Sequence, residues 1–295
     1  MREHGIIQGM DSERFNYSQV RDTVFQIGEG CNFACYGCQG EGRNHGADIN
    51  KVKPAIDIED LKHIQVVFPN LEKIRWGGDF SEPTLPNFGL SRLNEWVRNS
   101  TNWKILTITN GSTLPTNEDD VPRYLYDILG YETLSPEQKL AVSIDRYHFQ
   151  AYSNYHAQNG FTGNPRSSYQ ERINCIVNFG LALGVNGGLK VNTIISGDEN
   201  PQEAVDSLRS EWQIPEVIPI DTLNISIYTP VQEALLTLVK MNKVSDLRDG
   251  NSFPDSNDPV TFVRKERDGL FLYLNISDFG FRRIDRGLRI PAPPE

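Results

Sequence analysis

The chain has 295 residues, of which 38% are hydrophobic and 23% charged, the balance of a globular protein with a sizeable core. Lysine and arginine number 29 against 39 aspartates and glutamates, a net charge of −10 that makes nucleic acid an unfavourable partner. No apolar run approaches the ~20 residues needed to cross a bilayer, and Met1-Arg-Glu-His-Gly5 lacks a signal-peptide layout, so a cytoplasmic chain without a membrane partner is expected.

Residues 1–22 are polar and uneven and read as an N-terminal extension. Thr23–Ile27 is predicted as a short strand, and Gly28-Glu29-Gly30 opens a loop. Asp57 is the expected N-cap of a helix with Ile58, Leu61, Ile64, Val67 and Phe68 on one face. Leu71–Trp76 reads as a strand running into Gly77-Gly78, and Leu90, Leu93, Trp96 and Val97 mark a helix. Trp103–Thr109 is a strand ending in Asn110-Gly111. Residues 119–138 look helical in two pieces, and Leu140–Asp145 is a strand. Arg146 to Arg166, rich in Tyr, His, Asn and Gly, reads as a long loop.

Tyr169, Ile173, Ile176, Val177 and Gly180 then fit a helix, followed by a strand at Leu189–Ile195. Asn200-Pro201 starts a helix with Ala204, Val205, Leu208 and Trp212 as its apolar stripe. Leu223–Tyr228 alternates as a strand, and Thr229-Pro-Val-Gln232 has the form of a capping box opening a helix to about Met241. Residues 245–258 are polar and turn-rich. Thr261–Glu266 and Leu270–Ile276 form a hairpin pattern around Asp268-Gly269, and Pro291–Glu295 reads as a frayed tail.

Strand and helix alternate about six times, which implies parallel strands joined by helical crossovers. The expected architecture is α/β, a partial (β/α)6 barrel over 23–243, with a C-terminal extension over 244–295 whose β-hairpin closes it. Chemistry in such folds gathers at the C-terminal ends of the strands. The polar and glycine clusters fall there: Gly28–Cys38, Gly77–Pro83, Thr109–Gly111, Ser143–His148 and Ser196-Gly197.

The chain has four cysteines: Cys31, Cys35, Cys38 and Cys175. Three within eight residues, in a chain expected to be cytoplasmic, read as a metal site rather than a disulfide framework. Three thiolates suit zinc or an iron–sulfur cluster. His45 could complete a zinc site of three cysteines and one histidine. A cubane held by three cysteines would instead leave one iron open to a substrate or cosubstrate.

The spacing of Cys31, Cys35 and Cys38, just after the first strand of a β/α series, resembles the radical S-adenosylmethionine (radical SAM) superfamily and its C-x3-C-x-aromatic-C signature. Here Gly37 occupies the aromatic's usual place and Tyr36 lies one residue earlier. Trp76-Gly77-Gly78-Asp79-Phe80-Ser81-Glu82-Pro83 resembles the family's Gly-Gly-Glu-Pro segment, which holds the SAM amino group, with Asp79 and Glu82 as alternative carboxylates. Thr109-Asn110, Ser143 with Asp145, Asn192 and Tyr228 resemble the ends of the third to sixth strands, where the family meets SAM.

The resemblance implies two cofactors, a [4Fe-4S] cluster on Cys31, Cys35 and Cys38, and S-adenosyl-L-methionine on its open iron. It implies an electron from a flavodoxin or ferredoxin, reductive cleavage of SAM, and a 5′-deoxyadenosyl radical that takes hydrogen from a small-molecule substrate. Tyr36 could cover the cluster or the adenine edge, or pack on the core. On the substrate side, His148, Tyr152 and His156 are acid–base candidates in a segment dense in proton-active groups. Cys175 could donate a hydrogen atom to a substrate radical, as cysteines do in some radical SAM epimerases, or be a buried, inert helix cysteine; His63 and Trp212 read as structural. Arg282, Arg283, Arg286 and Arg289 form a basic run that could meet an anionic substrate group or solvent. Other readings are a radical SAM enzyme acting on a peptide, protein or RNA, and a non-catalytic metal-binding or sensor module.

Overall fold

A computed structural model describes residues 17–33, 53–77, 81–182, 188–196, 200–225, 261–266, 269–274 and 288–292. After a short 3-10 turn at Tyr17–Gln19, β1 (Asp22–Phe25) is followed by the short β2 (Gly28–Glu29) and β3 (Lys53–Pro54). Then come α1 (Ile58–Val67), β4 (Lys73–Trp76), α2 (Leu90–Ser100), β5 (Lys104–Thr109) and α3 (Val121–Tyr124). The chain continues through β6 (Gln138–Ser143), α4 (Arg146–Gln158), α5 (Pro165–Ala182), β7 (Leu189–Ser196), α6 (Pro201–Trp212) and β8 (Ile220–Ile225). β9 (Thr261–Glu266), β10 (Gly269–Leu274) and β11 (Leu288–Arg289) complete the described elements.

Six strands, β1-β4-β5-β6-β7-β8, lie side by side in chain order and pair in parallel. Each crossover therefore steps one strand along the sheet, and right-handed steps of this kind put successive helices on the same face. β9 spans the residues expected of the hairpin's first strand, and β10 starts one residue before the expected second strand. β9 pairs in parallel with β1, and β10 pairs antiparallel with β9 and β11.

Register fixes two different faces. Ile74 and Trp76, Ile105, Leu140 and Val142, and Leu189 and Val191 align on one face and share the core with Leu61, Ile64, Leu93, Val97, Ile173 and Ile176 of the helices. Trp76 brings a polar atom into that core, and its indole N–H donates to Asn94 Oδ1 at 2.5 Å. The Asn94 amide passes the bond on to the Leu129 carbonyl at 2.8 Å. The opposite face carries Lys73 and Arg75 on β4 and Lys139 and Ala141 on β6.

Helix starts follow the cap residues. Asp57 caps α1 reciprocally with Asp60, and Asn200 caps α6. Two expectations are corrected. The long loop expected over Arg146–Arg166 is largely α4, with six residues between it and α5. Asp145 starts this helix by accepting from the Tyr147 and His148 N–H groups at 2.8 and 2.9 Å. Its inward stripe is mainly aromatic, so composition hides it: buried Tyr152 and His156 and half-buried Phe149 and Tyr155 recur at helical spacing and pack on Tyr169, Phe33 and Phe161.

The second correction is at 119–138. A turn at Glu118–Asp120, α3 and a wide π-type turn at Leu125–Leu129 run together. Gly130, at φ 68°, then ends the helical path. Residues 131–137 are not helical. β8 starts at Ile220, three residues before the expected strand, and the capping box at Thr229 and the helix to Met241 lie outside the described residues. Among the described residues no helix is long and apolar enough to cross a membrane.

Candidate active site

The chain leaves β1 through buried Gln26 and Ile27, and the β2–β3 pair brings Glu29 back beside Lys53. The segment between them thus begins and ends at one place, beyond the C-terminal end of β1. Gly30 is bridged to Ser81, and the Glu82 N–H donates to the Gly30 carbonyl at 3.2 Å. This ties the start of the cysteine loop to the segment after β4.

Cys31 is half-buried at this junction. Its sulfur accepts from the Phe33 backbone N–H and from the Asn110 side-chain amide, each at 3.4 Å. The same amide donates to Asn32 Oδ1 at 3.1 Å. Phe33 is fully buried and lies against Tyr152 and Tyr155 of α4, with centroids 6.0 and 5.8 Å away. An aromatic anchor and two N–H donors therefore fix the first cysteine between the ends of β1 and β5. N–H donors suit a sulfur that carries negative charge.

Gly77 follows β4 with φ 150°, and a Cβ there would lie 3.2 Å from the Ile108 Cβ on β5. A side chain would be strained in that backbone and crowded by its neighbour, so glycine lets the two strand ends close together.

Glu82 is buried, at 2% exposure, and its carboxylate is engaged by protein groups. Oε1 accepts from the Thr84 N–H at 3.1 Å, the Thr84 hydroxyl at 2.5 Å and the Thr109 hydroxyl at 2.7 Å. Oε2 accepts from the Asn110 N–H at 2.6 Å. Thr84 is also bonded to Thr113, which meets the Tyr124 hydroxyl at 3.4 Å. Burial raises the Glu82 pKa, and the four donors offset only part of that. Glu82 is thus a staple between the segment after β4 and the end of β5, and it holds the backbone of the asparagine that bonds Cys31. Thr84, Thr113, Tyr124, Asn32 and Phe33 were not singled out from the sequence, because no residue spacing marks a threonine as the partner of a distant carboxylate.

Asp145 and His148 form the second cluster. Asp145 Oδ1 caps α4, and Oδ2 meets His148 Nδ1 at 2.6 Å. Burial would raise Asp145, but the His148 charge and its bonds more than reverse this and hold the carboxyl below its ordinary range. Burial would lower His148, and Asp145 outweighs it, so the imidazole is raised. The other ring nitrogen, Nε2, has no partner among the described residues.

Tyr152 is buried, and its hydroxyl meets Ser168 at 2.8 Å and accepts from Arg172 at 3.3 Å. His156 is buried against Phe161 and Tyr152. Of the three acid–base candidates, His148 is the one held by a carboxylate. Ser143 and Asn192 are half-buried neighbours in register on the face opposite the helices, with Asp221 beside them. Thr109 is bound to Glu82, as above.

Cys35, Tyr36, Cys38, His45, Gly78, Asp79 and Tyr228 lie outside the described residues. Among the described residues no three His, Cys, Asp or Glu side chains group as metal ligands. Cys175 is buried on α5, where burial, with Glu118 and Asp120 nearby, pushes its thiol up to about 11, as expected of an inert thiol. His63 bonds the Pro291 carbonyl, and Trp212 is buried.

The site keeps unspent hydrogen-bonding capacity. Among the described residues, Gln26 Oε1, Ser81 Oγ and Ser112 Oγ are buried atoms without partners; Ser81 precedes Glu82, and the Ser112 N–H donates to Asn110 Oδ1. The two serine hydroxyls can donate to a polar group bound at the strand ends. No protein-family model matches the chain, and a search of curated proteins finds no match.

Proposed function

We propose that the chain is a radical SAM enzyme acting on a small-molecule substrate, built on a partial barrel. One observation carries this reading: the Cys31-x3-Cys35-x2-Cys38 motif directly follows the first strand of a parallel sheet ordered as in the chain, and Cys31 lies beside the ends of β4 and β5. The sequential strand order supports a sheet that curls on itself.

Cys31, Cys35 and Cys38 would hold a [4Fe-4S] cluster, which, reduced by a flavodoxin or ferredoxin, would supply the electron for reductive cleavage of SAM. The chain's own residues place and protect that chemistry. Asn110 orients the Cys31 sulfur, and Glu82 orients Asn110. Gly77 keeps backbone close to the site, and Phe33 seals the loop onto α4. Asp145 fixes His148 through Nδ1, leaving Nε2 to accept or return a substrate proton.

The test is anaerobic reconstitution with iron and sulfide, reduction, addition of SAM, and chromatography for 5′-deoxyadenosine. The expected result is a full cluster and 5′-deoxyadenosine, both lost on Cys31→Ala, Cys35→Ala or Cys38→Ala. A protein that takes up zinc but no iron and sulfide refutes the proposal.

A further inference from the structure

The sheet face opposite the helices is charged in a way the chain as a whole is not. Register rows place Asp22, Lys73 and Lys104 side by side, and Arg75 and Lys139 one row further on, flanking Leu106. Lys190 follows beside Ala141, and Asp221 two rows nearer the strand ends than Lys139. Five cations from four adjacent strands thus share one face with two carboxylates, in a protein whose net charge is −10.

The carboxylates do not neutralise the set. Asp22 serves both Arg75 and Lys73, the latter at 3.2 Å, and Asp221 pairs with Lys190. Lys104 and Lys139 have no partner among the described residues. Lys73 is lowered by burial first and then by Arg75, with Lys190 adding to the repulsion. Val24, Leu106 and Ala141 on this face are buried although they are not part of the core beneath the helices. The cations therefore stand over a buried apolar floor; Arg75 and Lys190, at 16% and 21% exposure, are screened less than at an open surface, while Lys104 is exposed.

We propose that this face binds an oxyanion, a phosphate or carboxylate carried by the substrate, between Arg75, Lys139 and Lys104. Its connection to catalysis rests on the radical SAM reading; binding of the anion does not. Arg75 precedes Gly77 by two residues and Lys73 by four, so the anion lies about 7–13 Å along the strands from the cysteine junction. That separation defines the substrate class: a small molecule with an anionic group at one end and its reacting carbon about that far away.

The test uses the full chain without cluster or SAM. Inorganic phosphate and succinate are titrated calorimetrically, as separate arms, into the wild type and into Lys139→Gln, Lys104→Gln and Lys62→Gln. Lys139 and Lys104 make no ion pair among the described residues, and Lys62 is an exposed control on α1. Saturable binding of at least one anion is expected, weakened about fivefold by each of the first two changes and unaltered by the third. Preference for phosphate or for succinate then identifies the group. No saturable binding of either anion, or binding unaffected by Lys139→Gln and Lys104→Gln, overturns the proposal. Because this readout needs neither iron nor SAM, its failure is distinct from failure to form 5′-deoxyadenosine.

Discussion

Removing the Glu82 carboxylate tests how the cysteine junction is held. Four donors converge on it, but they differ in what they can do after Glu82→Ala. The Thr84 and Thr109 hydroxyls can rotate toward each other, since their oxygens are already 3.2 Å apart. The Thr84 and Asn110 backbone N–H groups cannot rotate. Two buried donors left unpaired at ~1–3 kcal/mol each give a loss of about 2–6 kcal/mol, a large part of the ~5–15 kcal/mol that holds a typical domain. Glu82→Gln keeps one acceptor oxygen but turns an amide NH2 toward a donor, which predicts a loss near the cost of one unpaired group, about 1–3 kcal/mol.

The pH dependence adds a second, independent signature. Burial raises Glu82 in the folded state, so folding takes up protons at this group. Its contribution to stability is greatest below the unfolded-state carboxylate pKa and falls as pH rises through the folded value. The advantage of wild type over Glu82→Gln should therefore shrink between mildly acidic and neutral pH. Urea unfolding of the three proteins across that range measures both effects. A Glu82→Ala protein within about 1 kcal/mol of wild type would show that the backbone donors find other partners, and would refute the staple.

Asp145→Asn keeps a good helix cap but removes the charge beside His148, so the imidazole pKa, followed by NMR, should fall below its wild-type value. The signs for the pair run in opposite directions: His148 stabilises below its unfolded pKa and loses this as pH rises through its raised value, while Asp145 stabilises above its unfolded pKa and loses this as pH falls through its lowered value. The pair is thus strongest between the carboxylate and imidazole ranges, and thermal melts of wild type and Asp145→Asn should diverge most there. Gly130→Ala puts a Cβ 2.5 Å from the Ser91 carbonyl at φ 68° and should cost at least about 2 kcal/mol in chemical unfolding. Gly89→Ala, at φ 63° with open space around it, should cost about 1 kcal/mol, and equal losses would contradict the packing described at Gly130. Asn110→Ala removes an N–H donor from Cys31, and a redox titration of the reconstituted protein should find a more negative cluster potential.

The strands were legible because Ile74 and Trp76, or Leu140 and Val142, alternate with residues that the helices do not cover. The caps at Asp57 and Asn200 were legible because their side chains act within three residues of the sequence. α4 was not, because its stripe is built from Phe149, Tyr152, Tyr155 and His156, which composition alone assigns equally to a functional loop. Asp145 stood out as a strand-end ligand, and the same position gives it a helix to cap and a histidine to hold. Glu82 stood out beside the glycines, but its partners Thr109 and Asn110 come from another strand. Pairings set by tertiary distance leave no periodic trace. The cationic face is a related case: Lys73, Lys104, Lys139 and Lys190 are single lysines in separate strands, and register alone makes them neighbours.

β1 is paired on one side by β4 and on the other by β9, so Thr23 meets Thr261 across 238 positions of the chain. During synthesis at ~5–20 residues per second, about 9–37 seconds pass between completion of Trp76 and arrival of Thr261. Through that interval the strand leading into Cys31 presents an open edge to the ribosome's surroundings. The nascent protein thus has a period in which its cysteine loop is made but the strand before it lacks one neighbour, and a chaperone that shields strand edges would act on the strand that leads into that loop.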